Sequence, residues 1–237
     1  YDAPNSTFLY GKIDEFRVSK GIARWTSDFT TYRSAYGQVA TITADKKFGT
    51  ACAEFKADGS LLTLADSADW DFGAGDYTVD MWIKPNSSVV SRFFYGQADS
   101  GGIDSGFYMI LQDGIYPKAV FTADGSKFAQ SSISVSVGSW HHIAAVRSGN
   151  NGYVFVNGVL GGSVDLTGAT MPTSGQKLGI GSVGDYATSR FDGWIDEVRT
   201  SKGIARWTSD FTPWKSAYGV PYTVTDIKQL GTASGEI

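Results

Sequence analysis

Asp14-Glu15 and Asp196-Glu197 are the acids best placed to do chemistry in this chain. Two carboxylates that flank a glycosidic bond can cleave it, one protonating the leaving oxygen and the other attacking or activating water. On a strand such acids must sit two positions apart, because successive side chains point to opposite faces. Here the acids are adjacent in both pairs, and the residue two before Asp196 is Trp194. A glycoside hydrolase is therefore disfavoured. Glu197 and Arg199 do share a face and read as an exposed pair. Ile195 and Val198 then fall near the core, which requires a bulge.

His141 and His142 are the only two histidines. As neighbours on a strand they point apart, so they cannot share a metal, and they read as one inward and one outward strand residue. No serine sits in a Gly-x-Ser-x-Gly elbow. Gly179, Gly181 and Gly184 are spaced like a phosphate loop, but no helix signal and no Lys-Ser/Thr follow, so they read as a turn. The one cysteine, Cys52, excludes an intrachain disulfide framework, and its alternating flanks make it a small core residue. Arg24-Trp25 and Arg206-Trp207 offer indole faces to a sugar ring. Trp207 follows the last strand directly, which favours a plug against the sheet instead. Phe93, Phe94, Tyr95, Tyr116 and Tyr186 are the aromatics expected in exposed loops.

The elements that must position these residues are strands. Gly accounts for 29 of 237 residues, 14% are aromatic and 19% charged. That composition suits a globular chain of many strands and tight turns. Asp-Gly or Asn-Gly occurs at 58–59, 113–114, 124–125, 157–158 and 192–193. Such pairs accept the positive φ of two-residue hairpin turns. Tyr77, Val79, Met81 and Ile83 alternate with Thr78, Asp80 and Trp82. Strands are expected on both sides of Asp113-Gly114, and over 140–146 and 153–156. Helix is confined to candidate single turns at 66–70, capped by Asp66, and at Ile204-Ala205-Arg206-Trp207. The expectation is an all-β, two-sheet sandwich or barrel.

Charge narrows the partners. Lys plus Arg is 20, Asp plus Glu is 24, and the net charge is −4. No basic stretch could track nucleic acid or a membrane surface. No apolar run approaches the roughly 18 residues of a membrane span.

Residues 11–37 recur at 193–219, with an unbroken identity between Ser19–Thr30 and Ser201–Thr212. A spacing of 182 residues is a domain length, beyond any solenoid period. The expected organisation is residues 1–37 as the tail of a preceding copy or an assembly arm, 38–219 as the domain, and 220–237 as a linker onward. The chain opens on Tyr1 and reads as a piece of something longer. The rival reading is one fold that uses the segment at both ends. The first tail carries Ile13, Phe16, Ile22, Trp25 and Phe29, an apolar set expected to contact another copy of the domain or a neighbouring subunit.

Residues 140–158, WHHIAAVRSGNNGYVFVNG, resemble the Trp-His hairpin of concanavalin A-like, laminin-G-type jelly rolls. Phe48-Gly49, LADSADWDFGAGDYTVDMWIKP (64–85) and FDGWIDEVR…GIARWTSDFTP (191–213) resemble the subgroup found in phage tail and bacterial surface proteins. The resemblance covers about 38–214. It implies a two-sheet antiparallel jelly roll with an opening strand ahead of Ala44–Gly49, which in this chain is expected to be missing, shortened or supplied by residues 7–18. It further implies a non-catalytic role in a virion tail or extracellular appendage, binding glycan or a cell surface, mediating assembly, or repeating within a bacterial adhesin. A calcium ion is implied at Asp196, with Asp76 a weaker contact. The opposing reading of Asp196 is a turn cap made by hydrogen bonds.

Overall fold

In the computed structural model, β4 (Tyr77–Pro85) shows the alternation its sequence dictates. Tyr77, Val79, Met81 and Ile83 are fully buried between two sheets, while Thr78, Asp80 and Trp82 face the other way. The structure describes residues 41–217, apart from 44, 50, 58, 98–105, 123, 172–173 and 185–187, with only the backbone at 41–43. By its contacts the chain divides into two units, Tyr1–Ala35 and Tyr36–Ile237. Ile13, Phe16, Ile22, Trp25 and Phe29 lie outside the described residues, as do Asp14, Glu15 and Tyr186.

Thirteen strands are described. The first seven are β1 (Thr41–Thr43), β2 (Cys52–Phe55), β3 (Leu62–Leu64), β4, β5 (Arg92–Gln97), β6 (Tyr108–Gln112) and β7 (Tyr116–Val120). They are followed by β8 (Phe128–Gln130), β9 (His141–Ser148), β10 (Asn151–Val156), β11 (Val159–Asp165), β12 (Leu178–Ile180) and β13 (Gly193–Lys202). A seven-stranded sheet runs β1-β2-β13-β4-β9-β10-β11, and a six-stranded sheet runs β3-β12-β5-β6-β7-β8. All their pairings are antiparallel. This is the two-sheet jelly roll expected, and β1 lies directly ahead of the Asp45–Gly49 loop.

Turn chemistry sets the hairpins. Asp113 and Gly114 both have positive φ between β6 and β7, and so do Asn157 and Gly158 between β10 and β11. The β9–β10 hairpin is tighter than its sequence suggests, since the strands run on to Ser148 and restart at Asn151. The only helical element among the described residues is a 3-10 turn, Ala68–Trp70. Its cap is Ser67, whose hydroxyl accepts from the Asp69 N–H, not the expected Asp66. No helix forms at Ile204–Trp207.

The core lies between the sheets. Aromatic edges and faces fill it: Phe72 stacks on Tyr77 at 4.1 Å, and Phe107 meets Tyr77 edge-on at 5.2 Å. Each such side chain contributes roughly 1.5–3 kcal/mol on burial. Phe94 and Tyr95 belong to this core, and Phe93 is buried on the outer face of the six-stranded sheet. The expectation that these three are exposed loop aromatics is therefore corrected: they lie in β5, where a bulge between Phe93 and Tyr95 shifts the alternation. Tyr116 is half-buried in β7. On one side the sheets close edge to edge, because Gly161 and Gly162 of β11 lie against Ser131 and Gln130, with the Ser132 N–H donating to the Gly161 carbonyl at 3.0 Å.

Candidate functional site

The outer face of the seven-stranded sheet gathers most of the tempting chemistry. Register places Asp80 of β4 beside Arg199 of β13, and Trp82 beside His142 of β9. Asp80 is completely buried. Arg199 Nε and Nη2 donate to its two oxygens, each at 2.9 Å, and His142 Nε2 lies 3.1 Å from Oδ2. Burial alone would raise the Asp80 carboxyl. The His142 and Arg199 hydrogen bonds overcome that and hold it below the usual carboxylate range. Arg199 thus reaches across to the buried Asp80, a partner the sequence did not point to.

A strap closes this face. After β13, Gly203 (φ 80°) turns the chain and residues 204–213 run across the sheet. Thr78 Oγ1 donates to the Ile204 carbonyl at 2.8 Å and accepts from the Arg206 N–H at 3.0 Å. The Asp210 carboxylate accepts from the Leu160 N–H at 2.8 Å, and the Phe211 N–H donates to the Gly158 carbonyl at 2.8 Å. Trp207 stacks on Phe211 at 3.8 Å, and both meet His142 edge-on. Ala144, Val146 and Phe155 form the floor. Trp207 is thus the plug its position suggested. Gly158 has no room for a side chain, since a Cβ there would run into the Phe211 carbonyl. His142, the outward strand histidine, is sealed beneath; His141, on the opposite face, is half-buried against Ser136 and Asn157, and burial lowers its pKa.

Asp196 sits where β13 bulges against β4, beside Glu197 at φ 53°. The bulge lets Ile195 enter the core and Val198 pack against it. Asp196 Oδ2 accepts from the Lys47 and Phe48 N–H groups at 2.9 and 3.0 Å, and Oδ1 from the Glu197 N–H at 2.9 Å. It therefore pins the loop ahead of β2. Asp76 Oδ1 accepts from the Gly149 N–H at 2.7 Å. Asp76 adjoins Tyr77, whereas Asp196 pairs with Trp82, so about 20 Å of strand separates them and they cannot share an ion. Calcium needs six to eight oxygens. Among the described residues no three or more His, Cys, Asp or Glu come together so as to hold a metal ion, and the Asp196 carboxylate faces N–H donors. That donor set fits a loop cap and does not fit an ion.

An open, shallow concavity lies elsewhere among the described residues. The β7–β8 turn (Thr122, Asp124, Ser126, Lys127) and the segment after β11 (Thr167, Gly168, Ala169, Thr170) line an open cleft of about 490 Å³. Each wall is fixed by its own carboxylate. Asp124 Oδ1 accepts from the Ser126 N–H and hydroxyl at 3.0 and 2.8 Å, and Asp165 Oδ1 from the Thr167 N–H and hydroxyl at 2.9 and 2.7 Å. The Ser126 N–H, then the Thr122 and Ser126 hydroxyls, bring Asp124 down to about 2, so it is ionised at neutral pH. Asp165 is lowered by the Thr167 hydroxyl and N–H. Below the cleft, Arg147 Nη2 donates to the Ala169 carbonyl at 2.6 Å. Sequence reasoning missed this site; its only trace was the Asp124-Gly125 turn pair. The arrangement offers hydroxyl, carboxylate and ammonium groups at the surface.

Residues 56–205 match the family model of the concanavalin A-like lectin/glucanases superfamily, and the chain belongs to that superfamily. Comparison with curated protein sequences found no match. Among solved structures, the chain resembles the binding domain of Paraclostridial Mosquitocidal Protein 1 (TM-score 0.54, 13% identity, 72% of this chain and 44% of that one). It also resembles a candidate carbohydrate-binding protein of Bacteroides ovatus (TM-score 0.50, 15% identity, 62% of this chain and 42% of that one). A further likeness is to domain 4 of an extracellular arabinanase from Geobacillus stearothermophilus (TM-score 0.48, 21% identity, 70% and 77%). The chain thus spans less than half the length of the first two. No described helix is long and apolar enough to cross a membrane.

Proposed function

We propose that this chain is a non-catalytic recognition module of an extracellular or virion appendage, and that it binds glycan at the cleft between residues 122–127 and 167–170. The observation that carries the reading is the cleft itself: hydrogen-bonded turns present Thr122, Asp124, Lys127 and Thr167 as mixed donors and acceptors around an open concavity. Sugar hydroxyls both donate and accept, so such a wall suits them. The resemblance to a candidate carbohydrate-binding protein adds support. Two of the acids near the sheet are engaged otherwise: Asp196 caps a loop, and Asp80 is bonded to Arg199 and His142.

A glycan array probed with the chain tests this. Binding to a defined set of oligosaccharides is expected, lost in Lys127→Ala/Thr167→Ala with the melting temperature unchanged. Binding that ignores those substitutions, or release of reducing sugar from a bound glycan, would overturn the reading. Repetition within a bacterial adhesin is the second reading, favoured by the 182-residue recurrence of the strap sequence.

A further inference from the structure

The strap and its socket make a separable pair. The socket is the outer face of the seven-stranded sheet, with Thr78, His142, Phe155, Gly158 and Leu160 as its contact points. Every strap residue that makes those contacts recurs with the same identity 182 residues earlier: Ile22 for Ile204, Arg24 for Arg206, Trp25 for Trp207, Asp28 for Asp210 and Phe29 for Phe211. The sequence of residues 38–192, which provides the socket, is present once. Residues 1–237 therefore hold two plug sequences and one socket sequence.

We propose that residues 22–31, the counterpart of strap residues 204–213, are an exchangeable plug, and that they dock on the outer face of the seven-stranded sheet of a second copy of this chain in place of that copy's own strap. The strap contacts named above are open to either segment, so the balance is set largely by concentration. The tethered strap acts at an effective concentration on the order of millimolar. A plug from another copy competes where copies are packed together, as in an appendage, or where the resident strap is weakened. Identity along Ser19–Thr30 makes the exchange selective for this chain's own kind.

The test uses the full chain. Trp207→Ala/Phe211→Ala cripples the resident strap and leaves the first plug intact. Size exclusion with light scattering across a dilution series is expected to show growth into dimers and longer species as concentration rises. Adding Trp25→Ala/Phe29→Ala is expected to weaken that association by about 30-fold or more, since anchor aromatics typically carry 2 kcal/mol or more. A monomer at every concentration overturns the proposal, and so does association indifferent to Trp25 and Phe29. In case the strap variant fails to fold, a disulfide trap works in the otherwise unaltered chain. Because the Leu160 N–H meets the Asp210 carboxylate, Leu160→Cys/Asp210→Cys is expected to cross-link within one chain. Leu160→Cys/Asp28→Cys is expected to cross-link two chains at high concentration. An intrachain link from Asp28, or none while the Asp210 control closes, overturns the exchange.

Discussion

Two regions of the molecule use carboxylates in opposite ways. On the outer face of the seven-stranded sheet, Asp80 is bonded to Arg199 and His142 under Trp207 and Phe211. In the cleft, Asp124 and Asp165 hold their own turns at the surface through the Ser126 and Thr167 hydroxyls, beside the half-buried Lys127. The sheet face carries the residue types of a catalytic site yet is closed. The cleft is made of ordinary turn residues yet is open. Acid, base and aromatic groups clustered in a sequence are poor guides to function when the fold can bury them against one another.

The sharpest way to break this contrast is to remove the buried acid. Asp80→Ala leaves Arg199 and His142 without their partner, and is expected to cost about 3–5 kcal/mol in denaturant unfolding. A cost near zero would mean that water reaches the cluster. Trp207→Ala should cost less, about 2 kcal/mol, because the indole is half-exposed and a fully buried aromatic loses about 3–5. Acid provides a related measurement. Asp80 titrates below its unfolded value of about 3.9, so its stabilisation is present above that pH and is lost as pH falls through the folded value. The acid limb of a stability–pH profile is therefore expected to flatten in Asp80→Asn. Asp196→Ala, which removes a loop cap, should cost about 1–2 kcal/mol. Chelator should leave the melting temperature unchanged; a calcium-dependent rise that Asp196→Ala abolishes would restore the ion. Smallest of all, Lys127→Ala/Thr167→Ala should leave stability within about 0.5 kcal/mol of the parent while glycan binding falls.

Local chemistry was legible in the sequence. Asn157-Gly158 marked a hairpin because a two-residue turn requires its backbone geometry, and Asp113-Gly114 supplied the positive φ of the three-residue loop 113–115. The alternation from Tyr77 to Ile83 identified the core face of β4. Longer-range pairing was not legible. Nothing near Asp80 in sequence points to His142, 62 positions away, or to Arg199, 119 away; strand order brings them together. The β5 bulge hid Phe93, Phe94 and Tyr95 from a simple reading of alternation. The cleft left almost no signal, because threonine, serine and glycine in turns are common whether or not a ligand binds there.

The seam where β11 meets β8 limits how this sequence can diverge. Gly161 and Gly162 sit so close to Ser131 and Gln130 that any side chain there would lever the two sheets apart. The Val89-Val90 stretch between β4 and β5 touches little and stands in solvent. A library of random variants selected for folding should accordingly keep the glycine pair nearly invariant while accepting insertions and almost any residue at 89–90. New specificities would then be acquired by lengthening loops around a fixed hinge line, never by reshaping the line itself.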